Sequence, residues 1–513
     1  MGKSETAGRR RDWLALAVLV LPVLLVSVDV TVLGFALPAI SEDLRPSAVQ
    51  QLWFVDVYSL VLGGLLVLMG TLGDRFGRRT VLLWGAAAFG GASVLASIAP
   101  SAGFLVAARA LLGIGGATLM PSTLALIRGI FTEPARRRVA IAVWAAAFSG
   151  GMGLGPVLGG WLLEHFRWGS VFLINVPVML VLLLVGPFVL PELRDPAPGR
   201  FDVLSALLSL AAAVPVIYGI KQFAEHGADR VAVLSVVAGT LVGVWFVRRQ
   251  RALPNPMLDL ALFRDGTFAA SVLTETLGVF ALVGSLFLVP QYLQLVLGLP
   301  ALVAALWLLP ATAASIVGSL GAVRLARRMP VRRLIAGGLF LAALGFAALA
   351  GVGVHAGLVL LIVAMTFVEF GESLSATLTS DLIVSAAAPE RAGAAAAISE
   401  TAYELGAALG TAVLGSVAAA VYRAGIPAEA GEIARETLGG ATTTAAGMPS
   451  PHREILLETA KQAFVNGFRV SAIAGAVLLA ATALLAFVLL RFRGGSPPAA
   501  SSAARWSARR TSS

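Results

Sequence analysis

The segment VLGGLLVLMGTLGDRFGRRTVLLWGAAAFG spans residues 61–90 and decides the fold class. Both of its ends are apolar, while its centre, residues 73–79, carries one aspartate and three arginines. A helix needs about 20 apolar residues to cross a bilayer, and Lys and Arg concentrate in cytoplasmic loops. The segment is therefore typical of two membrane helices that are joined by a short turn on the cytoplasmic side.

The whole chain has the composition of a polytopic membrane protein. Of its 513 residues, 58% are hydrophobic and 13% are charged, and the mean hydropathy is +0.88. Soluble domains are about half apolar and about a quarter charged. Fourteen apolar runs are long enough to span a membrane, and they lie at 13–36, 52–72, 80–98, 103–127, 138–161, 167–190, 202–220, 231–248, 269–294, 300–322, 334–352, 356–379, 396–421 and 468–491.

The basic residues orient these spans. If the N-terminus is cytoplasmic, 28 of the 38 Lys and Arg residues fall on the inside, nine fall on the outside, and Arg109 alone lies within a span. This asymmetry follows the positive-inside rule. Both termini are therefore predicted to be cytoplasmic in a plasma membrane, and the net charge of +10 needs no nucleic acid to explain it.

Enzymatic and metal-dependent functions find no support in the sequence. The chain has no Cys and only four His, and these have no paired spacing, so a thiolate metal site is excluded. No nucleophile–base pair or nucleotide motif stands out. We expect neither a metal nor a cofactor, with a proton gradient as the source of energy.

An internal repeat organises the chain. The turn GDRFGRRTV (73–81) joins the second and third spans, and ARRMPVRRL (326–334) joins the tenth and eleventh. If spans seven and eight are an insertion, the first six and the last six spans correspond, as in secondary transporters. The predicted fold is all-α, with two six-helix bundles and two inserted helices. The predicted divisions are a cytoplasmic N-terminus (1–12), the first bundle (13–190), the inserted pair with a linker (191–268), the second bundle (269–491) with an external loop (422–467), and a disordered cytoplasmic tail (492–513).

At several motifs the sequence resembles the major facilitator superfamily. Gly70, Asp74, Arg75, Gly77 and Arg78 match its loop between the second and third helices. Further matches to its fourteen-helix drug:proton antiporters, and within them to quaternary-ammonium efflux pumps, are RALLGIGGA (109–117), GMGLGPVLGG (151–160), SVDVTVLGFALPAI (27–40), FLINVPV (172–178), QQLWFVDVYSLVLGG (50–64), PMLDLALF (256–263) and SETAYELGAALG (399–410).

The resemblance implies an antiporter that moves drugs outward while protons enter. It also implies that Asp74, Arg75 and Arg78 latch the inner gate. The chain departs from the pattern at two places. Ser315 stands where some of these pumps carry an acid in the tenth helix, and Arg327 stands where the first loop has Asp74.

Charges within the predicted spans are candidate functional residues, because charges in a membrane are costly. Asp29 lies about two-thirds along the first span, and the resemblance implies that it couples transport to protons. Arg109 stays protonated and therefore needs an acceptor, either Asp29 or a polar backbone site. A structural lock is the alternative for this pair.

Two carboxylates in the thirteenth span form a second candidate proton site. Glu400 and Glu404 are four residues apart and share one helical face. Their repulsion favours a proton on one of them, and the pair also attracts cations. The residues that we predict to line the substrate path are Asp56, Glu275, Glu369, Glu372 and Ser315. Hydrated positions at a helix end are the alternative for Glu400, Glu275 and Asp56.

The segment SGGMGLGPVLGG (149–160) is a helix interrupted by small residues and one proline. Gly151, Gly155 and Gly159 are four apart and form a smooth face that allows close helix packing. Pro156 removes one backbone donor and favours a kink. We expect this face to seal or pivot the interface between the two bundles, with static packing as the alternative.

The sequence therefore predicts a monomeric, proton-coupled exporter of hydrophobic, cationic drugs, a multidrug resistance protein in a lipid bilayer. Export of one endogenous metabolite or antibiotic by the same mechanism stays open. A lipid flippase and an uptake symporter are further alternatives.

Overall fold

A computed structural model describes residues 2–194, 202–226, 229–254, 256–355, 357–387 and 392–490. Within them lie fourteen helices that are long and apolar enough to cross a membrane. We number them α1–α14: Arg11–Leu44, Ala48–Phe76, Arg78–Ser97, Ala102–Ile130, Val139–His165, Ser170–Val189, Val203–Phe223, Arg230–Ala252, Gly266–Val296, Ala301–Leu325, Val331–Leu349, Leu358–Ala386, Ala395–Gly425 and His452–Leu489. The predicted tail at 492–513 lies outside the described residues.

The fourteen predicted spans correspond one to one to these helices, which confirms the all-α membrane fold. The largest difference in bounds is at α14, which begins at His452 rather than near residue 468. Leu456, Ala460, Ala463 and Phe464 are buried at helical spacing, so the apolar face of the last span continues into the predicted external loop. The external segment between α13 and α14 is therefore residues 426–451, with short helices at Glu432–Glu436 and Leu438–Ala446.

The two halves of the chain form two bundles. In the N-terminal half, α1 packs on α5, and α4 packs between α2 and α3. In the C-terminal half, α9 packs on α13, and α12 packs between α10 and α11. The corresponding helices thus make corresponding contacts, as the internal repeat predicts. The halves meet mainly where α2 lies along α13 and where α5 meets the start of α10.

The inserted helices α7 and α8 pack closely on each other. Gly219 of α7 faces Ala232 of α8, and Gly239 of α8 faces Ala212 of α7, so each helix offers a small residue to the backbone of its partner. Helix α7 also contacts α2 and α13, one from each half. The inserted pair therefore lies against the seam between the halves.

The halves are hydrogen-bonded to each other at one end of the bundle. We call this end outer, following the predicted orientation. The Gln294 amide donates to the Phe35 carbonyl over 3.1 Å, and the Leu302 backbone N–H donates to Glu164 over 3.3 Å. Gly160 of α5 also lies against the backbone of Leu302. The structure is therefore closed at its outer end.

Candidate functional site

Asp29 and Arg109 form a buried ion pair in the N-terminal half. Arg109 Nη1 lies 2.5 Å from Asp29 Oδ2, and both residues are 1% exposed. Arg109 Nε donates to the Phe54 carbonyl over 2.8 Å, and its guanidinium lies 4.5 Å from the centroid of the Tyr58 ring. Both predicted acceptors, the carboxylate and a backbone carbonyl, are thus used. Asp29 Oδ1 has no hydrogen-bond partner among the described residues.

A second buried ion pair joins α2 to the inserted helix α7. Lys221 Nζ lies 2.8 Å from Asp56 Oδ2, and both side chains have no exposed surface. Arg109 is therefore not the only base within the spans, because Lys221, expected in an outer loop, is inside the bundle. Asp56, predicted to line the substrate path, has no exposed surface in this state and is paired with Lys221.

The helices α9, α12 and α13 carry five buried or half-buried carboxylates, which are Glu275, Glu369, Glu372, Glu400 and Glu404, whereas Asp381 of α12 is exposed. Three of them are buried, with 4–7% of their surface exposed, and Glu369 and Glu400 are half-buried. No ion pair joins any of the five to a base in the part of the chain that the structure describes. This cluster differs in that respect from both acids of the N-terminal half.

Hydroxyl groups replace bases around Glu275. Ser380 of α12 donates to Oε1 over 2.8 Å, and Ser399 of α13 donates to Oε2 over 2.7 Å. Glu275 is 6% exposed, so it is not a hydrated residue at a helix end. It links three helices of the cluster by hydrogen bonds that leave its charge uncompensated.

Ser315 contacts the cluster from α10. Its side chain lies beside Glu369, and its carbonyl accepts a hydrogen bond from Ser373 over 2.6 Å. Glu372, one turn from Glu369, lies against Gly278 of α9. Its Oε2 has no hydrogen-bond partner among the described residues. The structure therefore brings Ser315, Glu369 and Glu372 together, as a shared lining requires.

Glu404 lies at the contact between the halves. A Cβ atom added to Gly63 of α2 would be 2.8 Å from Glu404 Cβ, so only glycine permits this approach. Ser59 of α2 lies beside the Glu404 side chain. Glu400 lies one turn earlier on α13, away from the outer end, and is half-buried. The charge of Glu404 is thus in direct contact with the opposite half.

The turn between α2 and α3 is bound within its own half. Arg78 pairs with Asp74 over 2.5 Å, and Arg75 lies over the ring of Phe76. Gly77 has φ 109°, a conformation that favours glycine. The backbone N–H of Arg79 donates to Glu192, at the end of α6, over 3.1 Å. In this state the turn contacts α6, and its predicted role as a latch stays a prediction.

The glycine face of α5 packs against α1 of the same half. Cβ atoms added to Gly151, Gly155 and Gly159 would collide with Ser27, Thr31 and Val32 respectively. This corrects the expectation that the face lies between the bundles. Two other glycines of the segment face the opposite half: Gly153 lies against Thr312, and Gly160 lies against Leu302. Pro156 lies within the continuous helix α5.

The external segment 426–451 connects the halves through Glu436. This carboxylate accepts from Arg423 Nη1 over 2.8 Å and from the backbone N–H of Ala48, at the start of α2, over 3.0 Å. The Tyr422 hydroxyl donates to the Ala434 carbonyl over 2.8 Å. A small cavity of about 40 Å³ lies beneath the segment, between α2, α9 and α13. No hydropathy signal distinguishes Glu436 from other loop acids.

Comparisons with known proteins decide the family. The sequence model of the Major Facilitator Superfamily matches residues 19–411, more than half of the chain. The chain belongs to this superfamily. A solved transporter structure has a similar fold: a bacterial homologue of the human lysosomal transporter Spinster aligns with a TM-score of 0.67 and 18% identity, over 94% of this chain and 97% of that one.

Several curated relatives are resistance proteins. The chain is 47% identical to the multidrug efflux pump LfrA of Mycolicibacterium smegmatis, over 95% of this chain and 98% of that protein. It is 36% identical to the methyl viologen resistance protein SmvA of Salmonella typhimurium, over 91% and 96% respectively. It is 33% identical to the tetracenomycin C resistance and export protein of Streptomyces glaucescens, over 93% and 92%.

Proposed function

We propose that this superfamily member exports lipophilic organic cations across the plasma membrane in exchange for protons. The observation that carries the proposal is the cluster of five carboxylates in the C-terminal half, for which the described chain offers no basic partner. The names of its relatives, an efflux pump and resistance proteins, support drug export. The excess of Lys and Arg on the inside supports cytoplasmic termini.

The cluster has the chemistry of an exchange site. A buried carboxylate without a base is costly when it is charged. Either a proton or an organic cation removes that cost, and the same carboxylate does not take both at once. Glu369 and Glu400, which are half-buried, are placed to receive a cation. Glu404 contacts α2 of the opposite half, so its protonation acts directly on the seam between the halves.

Asp29 supplies a second proton site in this proposal. One of its oxygens is bound to Arg109 and the other has no partner among the described residues. A proton on the second oxygen would weaken the pair and release the Arg109 guanidinium. The occupancy of the C-terminal cluster and the packing of α1 against α4 would then change within one transport cycle.

Everted membrane vesicles with an acidic interior test the proposal. The wild-type chain is expected to load a cationic dye, and collapse of the pH gradient is expected to release it. Glu404→Gln is expected to reduce the initial rate at least about tenfold, since one charge-dependent step is lost. Glu458→Gln, an acid 56% exposed near the outer end, is the matched control and is expected to keep the wild-type rate. Loading that ignores the gradient would refute proton exchange.

A panel of compounds in the same vesicles separates the alternatives. Several chemically unrelated cations are expected to compete with the dye. Competition by a single compound would instead indicate a dedicated exporter. Movement of a labelled phospholipid would indicate a flippase, and accumulation in right-side-out vesicles would indicate uptake.

A further inference from the structure

The ion pair between Lys221 and Asp56 has no place in the exchange chemistry. Both side chains are completely buried, with Nζ and Oδ2 2.8 Å apart. Lys221 Nζ also lies 3.9 Å from the centroid of the Trp53 ring, a favourable position for a cation. Asp56 lies in the outer part of α2, eight residues after the helix begins at Ala48.

Helix α7, which carries Lys221, covers the seam between the two halves. Ile217 of α7 forms one apolar cluster with Leu60 of α2 and with Ala408 and Ala412 of α13. Thr411 of α13 lies beside Asp56. The inserted helix is thus anchored to α2 by charge, whereas α13 presents mainly small apolar side chains to it. Such a surface permits α13 to move along α7 while the charged anchor on α2 is kept.

A small cavity of about 20 Å³, room for about one water molecule, lies beside the pair. It is lined by Lys221, by Leu52 of α2, by Ser416 and Arg423 of α13, and by Glu436 of the external segment. When the outer ends are closed, as here, α13 and the external segment cover the pair. Separation of α2 and α13 at the outer end would widen this cavity and let water reach Lys221 and Asp56.

Hydration changes the cost of the pair between the two states. A buried ion pair loses solvation of both charges, and its replacement by apolar residues of similar volume is often neutral or stabilising. Exposure to water restores that solvation. The charged pair therefore disfavours the closed outer end relative to the open one.

We propose that Lys221 is a positioning residue of the outer gate. With Asp56 it holds the inserted helix pair on the N-terminal half and, because the pair is dehydrated only when the outer end is closed, it keeps the closed and open states close in free energy. The proposal deepens the proposed export, since it requires the outer end to open in each cycle. It needs neither protons nor a particular substrate.

A distance measurement on the full chain in lipid nanodiscs tests this role. The chain has no Cys, so spin labels can be attached at Pro100→Cys and His355→Cys, which are exposed positions in outer loops of the two halves. Double electron–electron resonance then gives the ratio of closed to open outer ends. In the double variant Asp56→Leu/Lys221→Met, this ratio is expected to rise roughly tenfold. Cation export is expected to slow, because the outer end seldom opens.

The other end of the same helix pair supplies the control. Asp202 and Arg249 form an ion pair, 2.7 Å long, at the inner end, and Asp202→Asn/Arg249→Met is expected to leave the outer distance unchanged. The single variant Lys221→Met strands Asp56 and is expected to be unstable, so the double variant carries the test. An unchanged ratio in a folded double variant, or a shift toward open ends, would overturn the proposal. Because no substrate is present, that failure is distinguishable from a failure of cation exchange.

Discussion

The two halves treat buried acids in opposite ways. In the N-terminal half each buried acid has a base within 3 Å: Arg109 pairs with Asp29 over 2.5 Å, and Lys221 pairs with Asp56 over 2.8 Å. In the C-terminal half two serine hydroxyls donate to Glu275, and the described residues supply no base to any of the five carboxylates of the cluster. The same bundle architecture therefore carries compensated charge on one side and uncompensated charge on the other.

This difference in charge compensation suits the two halves to different roles. A compensated pair changes its charge only when the pair breaks, so it is suited to holding helices together or to releasing them. An uncompensated carboxylate gains from any cation that reaches it, whether a proton or a drug. We interpret the N-terminal half as the side that positions helices and the C-terminal half as the side that exchanges ligands.

Breaking compensation in the N-terminal half has the largest expected effect. Arg109→Met leaves Asp29 buried and without a base, which typically costs about 3–5 kcal/mol of unfolding free energy. Thermal denaturation of the purified variant in detergent measures the loss. The double variant Asp29→Leu/Arg109→Met is expected to recover most of the stability, because no unpaired charge remains. Equal losses in the single and the double variant would contradict the role of charge compensation.

The complementary change places a basic residue beside the carboxylates of the C-terminal half. Ser315 lies beside Glu369, so Ser315→Lys places an ammonium group within the carboxylate cluster. Export of cationic dyes is expected to fall by about 10- to 100-fold, as for a loss of roughly 1.4–2.8 kcal/mol of binding. Ser315→Thr, which keeps the hydroxyl, is the matched control in the same vesicle assay. Full export activity in Ser315→Lys would show that transport does not require Glu369 to be free of a basic partner.

Two glycines of α5 face different halves, so we expect their substitution to have different and smaller effects on stability and transport. Gly155 lies against Thr31 of the same half, and Gly153 lies against Thr312 of the opposite half. Gly155→Leu is expected to lower stability by about 1–3 kcal/mol through overpacking. Gly153→Leu is expected to leave stability nearly unchanged while it opens the outer end and slows transport. Denaturation and the spin-label distance, measured on both variants, check the contrast, and a reversed order would refute the assignment of faces.

The smallest effect is expected at the inner end of the inserted pair. Burial raises the pKa of Asp202, but hydrogen bonds from Ser205 and Arg249 outweigh burial, and the pKa lies below its ordinary value. The stability that Asp202 contributes is therefore present above its ordinary pKa near 4 and is lost as pH falls through the lowered one. Asp202→Asn is expected to cost about 0.5–1 kcal/mol at pH 7 and nothing once wild-type Asp202 is protonated. Denaturation at both pH values checks this, and a cost that stays at low pH would contradict it.

Much of the fold was predictable because hydropathy and the positive-inside rule act locally along the chain. The pairing of Arg109 was also predictable, since a buried guanidinium needs an acceptor. Lys221 was not, because it follows the last residue of the predicted seventh span and hydropathy places it in a loop. The direction of the α5 glycines was not predictable either, because a smooth face fits any neighbouring helix. Only the arrangement of the bundle decides that this neighbour is α1.

The carboxylate cluster was only partly predictable from the sequence. The acids themselves are visible in the sequence as charges within apolar runs. That Ser380 and Ser399 both reach Glu275 depends on the register of α12 and α13 against α9. A sequence pattern identifies which residues are costly to bury, whereas the identity of their partners depends on packing.

The most direct test of the comparison is proton release on cation binding by the purified full chain. Tetraphenylphosphonium is added to the protein in weakly buffered detergent solution, and the pH change is recorded with the binding isotherm. We predict that binding releases protons, that Glu400→Gln/Glu404→Gln reduces the release at least about threefold, and that Asp56→Leu/Lys221→Met leaves it unchanged. Binding without proton release, or release that is lost with the Asp56–Lys221 pair but not with Glu400 and Glu404, would contradict the account.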